Sequence, residues 1–292
     1  MFADAVELLA LMLVAGGIGL LVLVLRNRRR GRDVRAALVL AAGIAVVLFG
    51  VQATLSDAID DAGGGATRLD TAAGAFAVGH RTPVLTTVAD ALNVAGSLAG
   101  LTVVAALAAV ALLLYRRRIE AALVLTAPAA AGLLGDGSKL GYDRPRPPVA
   151  GHLIMVTDSS LPSGHTLDAT IVLGVLAVVA VSLARGRLAR TAAVAVAGAG
   201  IAVAGAARVY LGVHWATDVV AGWLLGGAWV ALSAAVLLML TRPRGPRSAG
   251  AGRTGVAAPS PADVTHLRVP RPRRGLTGRG TADGEHAPRL AS

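Results

Sequence analysis

The sequence predicts an all-α fold, a polytopic bundle of membrane-spanning helices, and three observations carry that expectation. Of its 292 residues 55% are hydrophobic and only 15% charged, with a mean hydropathy of +0.66. The apolar residues gather into runs long enough to cross a hydrocarbon core about 30 Å thick, which takes about 20 helical residues. The basic residues cluster in every second connection between those runs, the pattern that membrane topology imposes on Lys and Arg.

Seven apolar spans follow in order: 5–25, 36–55, 91–115, 119–135, 167–184, 191–207 and 219–240. The fourth and sixth are rich in Ala and Gly, small residues that let helices approach closely. The first run does not read as a signal peptide. Its leader carries Asp4 and Glu7 and no positive charge, and the Arg cluster follows the apolar run instead of preceding it. The connection 56–90 has glycines at 63–65, and residues 71–90 are expected to form a short helix lying on the membrane surface. From 241 onward the composition shifts to Pro, Gly, Arg and Ser, too poor in apolar surface to fold alone. Residues 241–292 are therefore expected to be a disordered cytoplasmic tail. It is either a dispensable extension or one that touches anionic lipid through its arginines.

Charge orients the bundle. Arg26, Arg28, Arg29, Arg30, Arg32 and Arg35 follow the first span; Arg116, Arg117 and Arg118 follow the third. Arg185, Arg187 and Arg190 follow the fifth, and Arg242, Arg244 and Arg247 the seventh. If every span crosses, all four clusters share one side, and positive loops are cytoplasmic. The connections 56–90, 136–166 and 208–218 then face outward. This placement also explains the net charge of +11, carried by 27 Arg and a single Lys, better than nucleic-acid binding would. The absence of Cys excludes disulfides and thiolate metal sites.

The outward connections hold the chemistry. Lys139 is followed seven residues on by Arg146-Pro147; Pro162-Ser163-Gly164-His165 precedes the fifth span; Arg208 is followed by His214 and Asp218. Ionisable groups at membrane depth are costly and mark functional sites. Lys139, Arg146 and Arg208 together can neutralise a phosphate dianion, with Arg supplying a planar fork and Lys a point charge. Taken singly, each would read as an interfacial cation reaching toward headgroups. Arg144-Pro145 competes with Arg146-Pro147 for the anion, with the pocket rim as its alternative place. Ser163 suits a helix N-cap, and Gly164 allows backbone N–H groups to approach a ligand at a helix start. His214 and Asp218, four apart, share a helical face. A carboxylate there can fix the imidazole tautomer and leave Nε2 free to attack phosphorus. His165, His214, Asp218 and His152 are the rival metal ligands, but three neighbouring cations disfavour a divalent ion.

In this order, Lys-x6-Arg-Pro, Pro-Ser-Gly-His and Arg-x5-His-x3-Asp resemble the three signature segments of the type 2 phosphatidic acid phosphatase family, over residues 36–240. The superfamily also contains the vanadium haloperoxidases and bacterial acid phosphatases. One departure is Ala207, where the family often has Ser. The resemblance implies six core spans, so span 1 and its basic loop (1–35) become an addition to a membrane phosphatase domain (36–240). It implies His214 as nucleophile, Asp218 as its orienting carboxylate and His165 as general acid. Lys139, Arg146, Ser163, Gly164 and Arg208 become phosphate ligands, and no metal or other cofactor is needed. The implied function is hydrolysis of a lipid-linked phosphate or diphosphate on the outer face of the cell membrane. Two other uses of the same residues are a phosphotransferase that passes the phosphoryl group to an alcohol, and a transporter that binds an anion without chemistry.

Overall fold

The protein, seen in a computed structural model, is described over residues 34–241. The expected first span, most of its basic loop and the tail from 242 lie outside the described residues. Among these, eight α-helices and no strand occur: α1 (Val34–Asp61), α2 (Arg68–Gly79), α3 (Pro83–Ala95), α4 (Leu98–Leu114), α5 (Arg118–Lys139), α6 (Gly164–Leu183), α7 (Arg187–Tyr210) and α8 (Ala216–Leu240). Five of them, α1 and α5 to α8, are long and apolar enough to cross a bilayer; α3 and α4, bent by 60° at their junction, would make a sixth if counted as one span.

The connection 56–90 differs from the expectation of one surface helix. It holds α2 and the start of α3, each with its own cap. Thr67 and Asp70 form a reciprocal capping box on α2, and Thr82 caps α3 with Pro83 in its first turn. The span expected at 91–115 begins earlier and breaks at Gly96 and Ser97, where the Ser97 hydroxyl accepts from Gly100 N and starts α4 afresh. A hydroxyl at a helix start competes with continuation of the preceding helix.

Helix α6 lies at the centre and packs against α5, α7 and α8. It buries Ile171, Val172, Val175 and Val178 on several sides at once. The reverse holds outside, where Val39, Phe49, Leu107, Leu133 and Val196 stand exposed, as suits a surface covered by hydrocarbon instead of water. Two glycines bring α8 onto α6. A Cβ at Gly222 would lie 3.0 Å from Ser163 O, and one at Gly226 would lie 2.6 Å from the Thr170 Cβ. That close seat draws the N-termini of α6 and α8 together, where Ser163 N donates to Asp218 O at 3.0 Å. The C-termini of α5 and α7 arrive at the same end. The tight turns 115–117 and 184–186, with their arginines, lie at the other.

Candidate active site

The ends of four helices, α5 to α8, and the two connections between them form the site. His214 sits in the turn between α7 and α8, delivered by Gly212, whose φ of +76° favours glycine. A Cβ there would collide with the Gly151 carbonyl and crowd Arg81. Arg81, from the α2–α3 connection, braces this turn by donating to Gly151 O at 2.8 Å and Tyr210 O at 2.9 Å.

The His214 ring is buried between a carboxylate and a guanidinium. Its Nδ1 lies 3.4 Å from Asp218 Oδ2 and has no other hydrogen-bond partner, so the contact is long but unopposed. On the opposite side, Arg146 Nη1 is 3.1 Å from His214 Nε2. A guanidinium only donates, so Nε2 must accept and the proton of the neutral ring belongs on Nδ1, facing Asp218. Burial, with Arg146 and Arg208 nearby, lowers the His214 pKa to about 4 against the pull of Asp218. The ring is therefore neutral at pH 7, with its lone pair turned toward the cations.

Asp218 is held from four directions. Oδ1 accepts from Arg144 Nη1 at 2.6 Å; Oδ2 accepts from Ser160 Oγ at 2.5 Å and Trp215 N at 2.8 Å, beside the long approach of His214. Arg144 does not sit on the pocket rim. It is buried and also donates to Asp70 Oδ2 at 2.8 Å, Thr217 Oγ1 at 2.7 Å and the carbonyls of Gly64 and Gly65. Asp70 in turn accepts from Thr217 N at 2.8 Å. Two carboxylates meet one guanidinium in the interior, where an unpaired member would be costly.

The remaining cations gather in a cup at the same helix ends. Lys139, at the end of α5, pairs with Asp158 Oδ2, and its Nζ would stand 3.9 Å from a Cβ on Gly164 at the start of α6. Arg146 donates to Asp158 Oδ1 at 2.6 Å, to Asp158 O at 2.7 Å and to Val213 O at 2.6 Å. The Asp158 side chain is 52% exposed. Its partial burial would raise its pKa, but Lys139 and Arg146 outweigh that and hold it near 2. Arg208 is buried; its Nη1 donates to Asn93 Oδ1, and its Nε has no partner. His165, in the first turn of α6, lies within electrostatic reach of Arg208, His214 and Lys139. Ser163 occupies the N-cap position, but its hydroxyl makes no cap bond and instead accepts from Thr166 at 3.0 Å.

The structure thus brings together Lys139, Arg146, Gly164, His165, Arg208, His214 and Asp218, with Ser163 buried at the α6 start. His152 turns aside to the Pro147 carbonyl, 2.8 Å from its Nε2. Among the described residues, no group of three or more His, Cys, Asp or Glu is arranged to hold a metal ion. Sequence reasoning missed Asp70, Asn93, Asp158 and Ser160. The T-x-x-D spacing of Thr67 and Asp70, and a lone amide in an apolar run at Asn93, were the available signals.

Residues 120–242 match the PAP2 superfamily. The match contains all three motif segments but not Asp70 or Asn93. Among solved structures, the chain is similar to the first transmembrane PAP2 type phosphatidylglycerolphosphate phosphatase from Bacillus subtilis. The two are 28% identical, the similarity covers 68% of this chain and 98% of that one, and the TM-score is 0.58. No curated protein matches the chain.

Proposed function

We propose, from the match of residues 120–242 to the PAP2 superfamily, that this chain is an integral membrane phosphatase hydrolysing a lipid-linked phosphate or diphosphate through a phosphohistidine on His214. Polyprenyl diphosphate, phosphatidic acid and phosphatidylglycerophosphate are the substrate types that suit it. The observation that carries the reading is the line Arg146–His214–Asp218, a neutral imidazole with Nε2 turned to the cations and Nδ1 to a buried carboxylate.

In the first step Nε2 attacks phosphorus and the phosphorus–oxygen bond to the lipid breaks. His165 gives its proton to the departing oxygen, which leaves as an alcohol or, from a diphosphate, as a lipid monophosphate. The ring of His214 becomes cationic, and the Asp218 carboxylate stabilises it through Nδ1–H; the present 3.4 Å separation is of the kind that tightens when substrate is bound. Lys139, Arg146, Arg208 and the N-terminal N–H groups of α6 meet the charge that develops on the phosphoryl oxygens. In the second step water attacks phosphorus, His165 takes the water's proton, the phosphorus–nitrogen bond breaks and orthophosphate leaves. Every proton in this cycle is handled by a side chain, so the scheme is metal-independent.

The Arg-rich turns stand at the end of the bundle opposite the cup, which supports an extracytoplasmic site with the tail in the cytoplasm. Purified protein given these lipids should release phosphate equally with and without a chelator. His214→Ala should lower the rate by at least about 10⁴-fold, the scale of losing an activated nucleophile. Chelator-sensitive release would overturn the metal-free scheme, and a fully active His214→Ala would overturn the nucleophile. The chain has no native cysteine, so a Met155→Cys variant in intact cells reports the face. Labelling by an impermeant maleimide is expected, and labelling only after permeabilisation would reverse the topology.

A further inference from the structure

Asn93 is an amide on α3, one turn before the bend that separates α3 from α4, flanked by Leu92 and Val94. Polar side chains in such stretches are expensive and are kept for a partner. Asn93 meets two residues of the cup, each from a different motif segment. Its side-chain Oδ1 accepts from Arg208 Nη1, and its backbone carbonyl lies close to the His165 ring. Arg208 is buried, so anchoring Nη1 fixes the guanidinium plane while its other N–H groups keep no protein partner.

The geometry points to Asn93 as a positioning residue of the phosphatase cup, one that aims Arg208 at the phosphoryl oxygens. It stands outside the segment that carries the PAP2 similarity. The inference rests on the phosphatase reading above. It also extends it, because the bent span becomes part of the phosphate grip.

The side-chain arm is tested by Asn93→Ala, which removes the acceptor for Arg208, and by Asn93→Asp, which keeps an acceptor at the same reach. In the full chain, Asn93→Ala should lower kcat/KM for a lipid monophosphate about 10- to 100-fold, the cost expected of a slightly misplaced positioning group. It should also weaken inhibition by orthophosphate in parallel, and Asn93→Asp should restore most of both. Made in an Arg208→Ala background, Asn93→Ala should cost little more, because the two changes remove one interaction. A general packing role would instead give losses that add, with no rescue by Asp. Unchanged kcat/KM and orthophosphate inhibition in Asn93→Ala, or full additivity with Arg208→Ala, would overturn the inference. Orthophosphate binding measured by calorimetry on the same proteins needs no turnover. A wild type that binds orthophosphate but hydrolyses no lipid phosphate would defeat the phosphatase reading, and the Asn93 comparison would still be decided.

Discussion

Arg144 and Arg146 are two residues apart in the same Arg-Pro-Arg-Pro stretch, yet they belong to different kinds of site. The Arg144 side chain is 1% exposed and meets the buried carboxylates of Asp70 and Asp218. The Arg146 side chain faces the other way, toward the exposed carboxylate of Asp158 and the lone pair of His214. One guanidinium has partners that cannot leave. The other has a partner that a substrate anion can replace. The prolines exclude a helix here, and the two side chains part toward different partners, Asp70 and Asp218 for Arg144, Asp158 and His214 for Arg146. The same residue type is therefore a structural tie in one position and a candidate ligand in the next, and what separates them is whether the counter-charge is buried.

Each prediction strains that contrast. The largest effect is expected from Arg144→Ala, which strands two buried carboxylates and should cost about 3–5 kcal/mol of stability, read as a large drop in the unfolding midpoint of detergent-solubilised protein. A small drop would mean that the interior cluster is not the tie described. Arg146→Ala should do the opposite. Its kcat/KM should fall about 10²–10³-fold, the usual cost of one lost transition-state donor, with the unfolding midpoint nearly unchanged. Gly212→Ala perturbs the turn that delivers His214 to Arg146; activity should fall by more than about tenfold, as expected of a displaced catalytic group, again measured as kcat/KM.

The pH dependence of stability comes next. The native His214 ring binds its proton more weakly than an unfolded histidine, with a pKa of about 4 against 6.5. Stability should therefore be lost as pH falls from about 6.5, with the loss levelling off below about 4. His214→Asn should reduce that slope. Asp158, held near 2, loses its favourable contribution only below the ordinary carboxylate range and leaves the window clear. The smallest effect belongs to Asp158→Asn. The carboxylate competes with any anion for Lys139 and Arg146, so its removal should lower KM and the orthophosphate inhibition constant by the same factor, about two- to tenfold, within the range of exposed ion pairs. A rise in KM would instead make Asp158 a support for the two cations.

The long helices were legible because their signal is local. A run such as 167–184 or 219–240 is apolar whatever surrounds it, and the observed α6 and α8 overlap those runs closely. The ends were less legible. Lys139 still belongs to α5, past the expected end at 135, because a helix can carry its polar last turn beyond the apolar stretch. The broken α3–α4 span was missed because a Ser cap inside an apolar run hardly changes its hydropathy. At the site, the meeting of the three motif segments could be anticipated from alternating helix directions, which bring the ends of α5 to α8 to one end of the bundle. The place of Arg144 could not, because its partner Asp70 lies 74 residues away.

What the sequence determined by itself is what depends on composition along the chain: membrane helices, their alternation, the side on which arginines gather and the residue types available for phosphate chemistry. What only the tertiary structure decided is which charge answers which. Pairing depends on distance and burial, and both arise when helices far apart in sequence pack. Asp70 and Asp218 became buried anchors for Arg144, Asp158 became an exposed occupant of the cup, and Asn93 became the partner of Arg208, although nothing in the local sequence around any of them distinguishes these fates.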